Sequence, residues 1–283
     1  MPSAKIGLPI WPHTEKLEKS LAAAWSVGAS YVEVSLDYPW IYGLRNEEAK
    51  AFRRAVREWG LEVGIHAPWR DVSLASPIRE VWETSLGLLI GPVKRVAEDL
   101  EAVYLNLHVS TGEYLDSASV RGVAVQAALK ALRIILGEYS PIDVAVTVEN
   151  TPQKGVGDPS FIGTLLDNAP GANLCLDVAH AYAYYARGGE VSTPDALAHW
   201  FDSFKGRVKV LHIHDAKRCG PRCFLEHIPP GTGELDWSWL SQKIRGSGAD
   251  YLLLEVYRDA EGRRITGGVK EYVERVKGWL ESG

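Results

Sequence analysis

Residues 103–150 contain one complete strand–helix–strand unit. It consists of VYLNLHV at 103–109, SVRGVAVQAALKALRIILG at 119–137 and DVAVTVEN at 143–150. The outer segments alternate aliphatic and mixed residues with a period of two, as strands do, whereas the middle segment is an amphipathic helix that Gly137 is expected to close. This order predicts two parallel strands joined by a helical crossover.

The same unit recurs along the chain. Strand-like runs lie near 6–10, 31–36, 62–68, 102–109, 143–150, 172–180, 208–216 and 251–257. Helical stretches lie between them, including EEAKAFRRAVREWG, which Gly60 closes, and the segment from Pro77 to Leu100. Eight units of about 35 residues predict an α/β fold, a single (β/α)8 TIM barrel domain over residues 1–283. An open doubly wound sheet is the alternative, but no glycine-rich phosphate loop follows the first strand.

Composition narrows the class of protein. Charged residues make up 24% and the net charge is -5, so no strong field favours a polyanionic partner, although a local basic patch is compatible with an acidic total. The N-terminus lacks the apolar stretch of a signal peptide, and no apolar run of about 18 residues predicts a membrane span. Three cysteines do not make a secreted disulfide framework. We expect a cytoplasmic protein with no membrane partner, for which a homo-oligomer is possible.

Side-chain parity predicts which strand faces line the barrel. The mixed face of VYLNLHV ends at His108, that of DVAVTVEN at Glu149 and that of ANLCLDV at Asp177. Because side chains alternate across a strand, the aliphatic faces should pack on helices and the mixed faces should point inward. In VKVLHIHDA, both His212 and His214 have inward parity, and parity does not choose between them.

Six polar residues stand at or near the ends of successive predicted strands: His66, His108, Glu149, Asp177, His212 and Glu255. Carboxylates and imidazoles are costly to bury unless something binds them. A lone inward histidine is more often a hydrogen-bonded core residue, but six equivalent positions favour one shared site at the catalytic mouth. Their ligand types suit zinc, manganese, cobalt or iron, so the sequence predicts a divalent metal.

Seven motifs resemble those of the xylose isomerase-like TIM barrel superfamily, over nearly the whole chain. They are HAPWRDVSLASP, LNLHVSTGE, ENTPQKG, LDVAHAYA, HIHDAK, HIPPGTGELDW and LLLEVY. This superfamily contains sugar and sugar-phosphate isomerases and epimerases, and also the endonuclease IV branch (AP endonuclease family 2). The resemblance implies a central metal, with His212 rather than His214 among its ligands, held by Glu149, Asp177, His212 and Glu255. The endonuclease IV branch uses three zinc ions, which implies further ligands at His66, His108, His180 and His227.

The resemblance leaves the branch open. The endonuclease IV branch carries an aspartate two residues before His227, where this chain has Leu225, with Glu226 beside it in the wrong register. HIPPGTGELDW resembles a loop of sugar isomerases and epimerases. HAPWRDVSLASP, ENTPQKG and LDVAHAYA resemble the endonuclease side. We expect carbohydrate chemistry, with an endonuclease IV-like zinc-dependent apurinic/apyrimidinic DNA endonuclease as the alternative.

The expected carbohydrate reaction is isomerisation or epimerisation of a sugar or sugar phosphate. Glu149 and Glu255 would transfer protons through an enediolate that a divalent Zn, Mn or Co ion stabilises. Candidates for substrate binding are His66, His108, His180, Trp69, Arg70, Lys217 and Arg258. In the alternative, the partner is nucleic acid, and Trp69 with Arg70 would form a wedge in the base stack.

Three further features have simpler interpretations. Glu33 in YVEVSL has inward parity and is expected to pair with a neighbouring cation. His13 follows the first strand and is a candidate for the mouth. Cys219 and Cys223 frame CGPRC, where a loop-closing disulfide and two free thiols are both plausible.

Overall fold

A computed structural model describes residues 4–12, 17–44, 46–153, 155–220, 223–265 and 268–282. His13 lies outside the described residues. Strands and helices alternate in the predicted order. The strands are β1 (Lys5–Ile10), β2 (Tyr31–Ser35), β3 (Glu62–His66), β4 (Tyr104–His108), β5 (Ala145–Glu149), β6 (Ala172–Asp177), β7 (Val208–Ile213), β8 (Asp215–Gly220), β9 (Cys223–Ile228) and β10 (Tyr251–Leu254).

Eight of these strands close into a parallel barrel. β1 to β7 pair in sequence order, and β10 pairs with both β7 and β1 to complete the ring. β8 and β9 form an antiparallel hairpin outside it. The register brings strand ends together, because His108 lies opposite Glu149 and Asp177 lies opposite His212. The predicted (β/α)8 TIM barrel is confirmed.

Helices surround the barrel and bury their aliphatic faces against it, as Leu132 and Ile135 do. They are α1 (Leu17–Ser26), α2 (Asn46–Trp59), α3 (Arg79–Leu88), α4 (Lys94–Asp99), α5 (Ala118–Tyr139), α6 (Pro159–Asn168), α7 (Val178–Ala186), α8 (Thr193–Ser203), α9 (Trp237–Ser247) and α10 (Val269–Glu281). No described helix is long and apolar enough to cross a bilayer.

Two helix predictions are wrong in detail. Gly137 does not close α5, which continues to Tyr139. A glycine inside a helix costs about 1 kcal/mol relative to alanine, and full burial of Tyr139 on the same helix offsets that cost. The segment 77–100 is not one regular helix, because a π-helical turn at Leu89–Val93 separates α3 from α4. Pro92 lies in this turn and has no N–H to donate to the α-helical pattern.

Three tyrosine rings fill the barrel interior below the mouth. The ring centroids of Tyr31, Tyr104 and Tyr251 lie 5.0–6.2 Å apart. Glycines make room for them, since a Cβ at Gly7 would lie 2.3 Å from Tyr31 and one at Gly64 would lie 2.2 Å from Tyr104. The mixed strand faces therefore point inward, as parity predicts, and their polar ends open towards the C-terminal mouth.

Candidate metal centre

The C-terminal mouth of the barrel opens into a cavity of about 850 Å³. Most predicted site residues line it: His66, His108, Glu149, His180, His227, Glu255, Trp69, Arg70 and Arg258. Asp177 and His212 are fully buried and contact the lining residues His180 and Glu149. The barrel thus brings together side chains from six of its strands and from the loops that follow them.

Glu149, at the end of β5, lies at the middle of the site. Its Oε2 is 3.2 Å from Nε2 of His108 and 3.5 Å from Nε2 of His66. Asn106 donates a hydrogen bond to the same oxygen and orients the carboxylate. His66, His108 and Glu149 have ligand atoms close enough to share an ion, and we call them the first ligand group.

The second ligand group comprises Asp177, His212 and Glu255, at the ends of β6, β7 and β10. Nδ1 of His212 lies 3.2 Å from Oε2 of Glu255 and 3.5 Å from Oε2 of Glu149. Two ligand atoms on a tetrahedral zinc ion are about 3.3–3.5 Å apart, given bonds of about 2.0–2.2 Å. The spacing of these atoms therefore suits an ion between them.

His180 and His227 have ligand atoms close to each other and to one of His214; with the neighbouring Glu226 we call His180 and His227 the third ligand group, beside the second. Oε1 of Glu226 is 4.0 Å from Nε2 of His180, at the start of α7. Nδ1 of His227 donates to the backbone carbonyl of Glu255 at 3.2 Å, which leaves its Nε2 free to bind. The ring centroids of His180 and His227 are 5.5 Å apart.

The backbone at His227 explains how Glu226 reaches the site. The prediction from sequence assumed that β9 is a regular strand, in which neighbouring residues point to opposite faces. His227 instead has a φ of 60°, in the left-handed region. Leu225 packs near Gly262, away from the ligands. Glu226, one position later, has its carboxylate 4.0 Å from His180.

His214 is also buried here, but both of its ring nitrogens are committed. Nδ1 accepts the backbone N–H of His227 at 2.9 Å, and Nε2 lies 2.9 Å from Oδ2 of Asp177. Nδ1 also lies 3.2 Å from the carbonyl oxygen of Asp215, but the shorter contact with the His227 N–H, which can only donate, favours an unprotonated Nδ1 and a proton on Nε2. This arrangement supports His212 as the ligand and leaves His214 to orient Asp177.

Several polar atoms at the centre have no hydrogen-bond partner although they are buried. They are Nε2 of His108, Nδ1 of His180, Nδ1 of His212 and Oε1 of Glu226. Buried polar atoms without partners are uncommon and costly, and all four point towards the ligand groups. The residues present therefore fit divalent metal, and the high share of imidazole suits zinc.

The pKa shifts in the cluster show how its charges balance without a metal cation. Burial would raise the pKa of Glu149, but the imidazoles of His108 and His212 outweigh it and hold that pKa well below its usual value. Burial would lower the pKa of His66, but Glu149 raises it to about 9. Likewise, Asp177 overcomes burial and raises the pKa of His180 to about 10. The carboxylates here keep the imidazoles protonated. A bound metal ion would replace those protons.

Aromatic and basic side chains form the rim of the cavity. Trp69 is 43% exposed, and the Arg70 guanidinium lies 4.1 Å from its ring centroid. Arg70 also forms an ion pair with Asp37. Arg258 and Arg264 face each other across an antiparallel bridge after β10, and both line the cavity.

One predicted substrate-binding residue does not line the cavity. Lys217 lies on β8, opposite Leu225 on β9, and is not among the residues that line the cavity. The physical reason is the hairpin, which directs β9 rather than β8 into the mouth. Cys219 and Cys223 form a disulfide near the turn of this hairpin, so they are not free thiols.

Sequence reasoning missed some residues of the site. Asn106 has the inward parity of the ligands, which was the available signal; Glu33 was predicted to point inward, but its partners Tyr104 and His212 were not identified. Asp37 and Arg264 lie beyond strand ends, where spacing predicts no orientation. Glu226 was placed in the wrong register for the expected aspartate, and its carboxylate lies 4.0 Å from His180.

Comparison with known proteins identifies relatives of this chain. A probable endonuclease 4 from Thermoplasma acidophilum is 26% identical over 207 residues, which cover 68% of this chain and 66% of that protein. The chain thus spans just under two thirds of the length of this curated relative.

Solved structures share the whole fold. A D-tagatose 3-epimerase-like protein superposes with a TM-score of 0.76 at 17% identity, over 98% of this chain and 97% of that one. The TTHB071 protein from Thermus thermophilus, solved after soaking with ZnCl2, gives a TM-score of 0.73 at 19% identity, over 99% of both chains. A family model described as xylose isomerase-like TIM barrel matches residues 21–282. The chain therefore belongs to the xylose isomerase-like TIM barrel family.

Proposed function

We propose that this protein is a metal-dependent phosphodiesterase of the endonuclease IV type, which cleaves DNA at abasic sites. The observation that carries the proposal is the presence of three ligand groups around one mouth. A single central ion needs only Glu149 with the second ligand group. It leaves four histidines without a role, although they are buried or nearly so at the same cavity: His66, His108, His180 and His227.

The chemistry of hydrolysis suits such a cluster. Divalent ions, when bound together, supply hydroxide at neutral pH and neutralise charge on a phosphoryl group. Glu149 belongs to the first ligand group and also approaches the second. Its Oε2 is 3.2 Å from Nε2 of His108 and 3.5 Å from Nδ1 of His212. Asn106 donates to that oxygen and holds the carboxylate between the two groups.

The rim supplies positive charge for a phosphate backbone. Like charges directly opposite each other in an antiparallel pair are destabilising, and Arg258 and Arg264 have that relationship at the cavity edge. Both guanidinium-bearing residues line the cavity, so a locally basic rim exists within a chain of net charge -5.

Exposed aromatic rings stand on the loops around the mouth. Tyr38 and Tyr42 follow β2 and are 73% and 72% exposed, Trp69 follows β3, and Tyr114 follows β4 and is 88% exposed. Aromatic side chains stack on unpaired bases and sugars at about 1–3 kcal/mol per base. Their position favours a ligand larger than a single sugar.

The loop that favoured carbohydrate chemistry in the sequence has a structural explanation. Within HIPPGTGELDW, the backbone N–H groups of Gly231 and Leu235 and the indole N–H of Trp237 all donate to the buried carboxylate of Asp215. A Cβ at Gly233 would lie 2.2 Å from that carboxylate. None of residues 229–240, all of which the structure describes, lines the cavity.

A sugar or sugar-phosphate isomerase or epimerase is the second candidate. The observation that favours it is that Glu149 and Glu255 converge on one ligand atom, at 3.5 and 3.2 Å from Nδ1 of His212. Two carboxylates that flank a metal-bound substrate could remove and return a proton. Fold neighbours described as epimerases are consistent with such a reaction.

Two assays on pure protein separate these candidates. We expect zinc-loaded protein to incise a duplex that contains one abasic site, with strong inhibition by salt, and to leave the intact duplex uncut. His108→Gln should reduce incision at least about 100-fold because a ligand is lost. His199→Gln, at an exposed histidine on α8, is the matched control and should retain activity. Exchange of a C–H proton into sugars in deuterated water, with no incision, would instead support the second candidate.

A further inference from the structure

We infer that Glu33, supported by Tyr104, is a positioning residue that fixes the imidazole of His212 for metal binding. The inference rests on the metal centre of the proposed function and extends it to a second layer of residues. Glu33 lies on β2, one layer below the mouth, and is 2% exposed. An ionised carboxylate at such a depth is costly unless specific partners bind it.

Two partners on other strands bind this carboxylate. The Tyr104 hydroxyl, on β4, donates to Oε2 of Glu33 at 2.7 Å. Nε2 of His212, on β7, lies 3.3 Å from the same oxygen. Glu33 thus connects three strands of the barrel, and the imidazole that contacts it lies 179 residues away in the sequence.

The contact decides which nitrogen of His212 is available. When Nε2 carries the proton and donates to Glu33, the lone pair of Nδ1 points towards Glu255 and Glu149. Nδ1 is buried and has no hydrogen-bond partner. A carboxylate behind a histidine ligand fixes its tautomer and ring orientation, and it raises the basicity of the nitrogen that binds the metal.

The surroundings of Glu33 hold this contact in place. The Tyr104 ring fits only because position 64 is glycine, where a Cβ would lie 2.2 Å from the ring. Tyr31 packs in the same layer, with its ring centroid 6.2 Å from that of Tyr104, but its buried hydroxyl has no hydrogen-bond partner. The two tyrosines therefore differ in their contact with Glu33, and Tyr31 provides a matched control.

The test measures metal binding rather than catalysis. Glu33→Gln keeps the side-chain size, and we expect it to lower zinc affinity at the second ligand group about 10- to 100-fold in chelator competition. Tyr104→Phe keeps the ring and should lower affinity in the same direction by a smaller factor. Tyr31→Phe should leave affinity within about twofold of the wild type. Nitrogen NMR of labelled histidines should show an Nε2–H tautomer for His212 in the wild type and its loss or exchange in Glu33→Gln.

Each outcome bears on a different claim. If zinc affinity and the His212 tautomer are unchanged in Glu33→Gln and in Tyr104→Phe, the inference is overturned while the metal centre stands. If wild-type protein binds no metal, the proposed centre fails and takes this inference with it. If Glu33→Gln does not fold, the comparison of Tyr104→Phe with Tyr31→Phe decides, and equal affinities in those two variants overturn the inference.

Discussion

His214 donates a hydrogen bond from Nε2 to Oδ2 of Asp177 over 2.9 Å. Its other ring nitrogen accepts the backbone N–H of His227. His214 is therefore held behind the second ligand group, whereas Nδ1 of His212 faces into it. His212 and His214 are two residues apart and have equal parity, yet they have different functions. Substitutions can distinguish these functions.

Replacement of these two histidines should give unequal losses of metal. His212→Gln removes a ligand, so binding of the ion at Asp177 and Glu255 should fall below detection by calorimetry. His214→Gln removes only the orienting contact, so affinity should fall about 10- to 100-fold. Equal losses in both variants, or a larger loss in His214→Gln, would show that the ligand assignment is reversed.

Asp177 has a structural role that can be kept while its charge is removed. Its Oδ1 accepts the backbone N–H of His180 at 2.7 Å and caps α7. Asparagine caps helices as well as aspartate does. In Asp177→Asn the helix cap should be kept, but the Tm of metal-free protein should fall because His180 and His214 lose their anionic partner, and the increase in Tm on adding zinc should disappear.

The matched control is Asp236→Asn, at the capping residue of α9 away from the cavity. This variant should keep the full zinc-dependent increase in Tm. An undiminished increase in Asp177→Asn would remove Asp177 from the ligands.

The pH dependence of stability should differ between metal-free and zinc-bound protein. His66 and His180 have a pKa raised to about 9 and about 10, above the value near 6.5 in unfolded chains. Their protonation therefore stabilises the metal-free fold fully below about pH 6.5, and this stabilisation is lost as pH rises through about 9 to 10.

Zinc binds neutral imidazole, so the stabilisation that zinc provides grows as pH rises, whereas the stabilisation from protonated histidines falls. The Tm of metal-free protein should fall between about pH 7 and 9, while the increase in Tm caused by zinc should grow over the same interval. Differential scanning calorimetry at fixed ionic strength measures both. A metal-free Tm that is constant over this interval would contradict the protonated state of the cluster.

Local patterns predicted the barrel and the side chains that meet at its mouth, because each strand ends at the same mouth. The inward parity of His108, Glu149 and Asp177 was enough to place them together. Glu33 had the same parity, but its partner His212 comes from a strand across the barrel, and no local pattern encodes that pairing. Glu226 could not be placed because a left-handed residue follows it. Cytoplasmic location and oligomeric state remain predictions.

The disulfide between Cys219 and Cys223 should stabilise the hairpin that carries Glu226 and His227. Closure of so short a loop contributes about 2 kcal/mol in the chain-entropy model. Reduction, or Cys223→Ser, should therefore weaken binding of the ion at the third ligand group and leave the barrel folded. Circular dichroism and stepwise zinc titration check both expectations. Loss of the barrel, or an unchanged third binding step, would contradict the local role of the disulfide.

The number of metal ions per chain tests the central claim most directly. Protein purified without chelators and reconstituted with zinc should contain three ions by mass spectrometry of the metal. Anomalous diffraction at the zinc edge should place one ion in each of the three ligand groups. A single ion, bound by Glu149, Asp177, His212 and Glu255 with the other histidines unoccupied, would contradict the account.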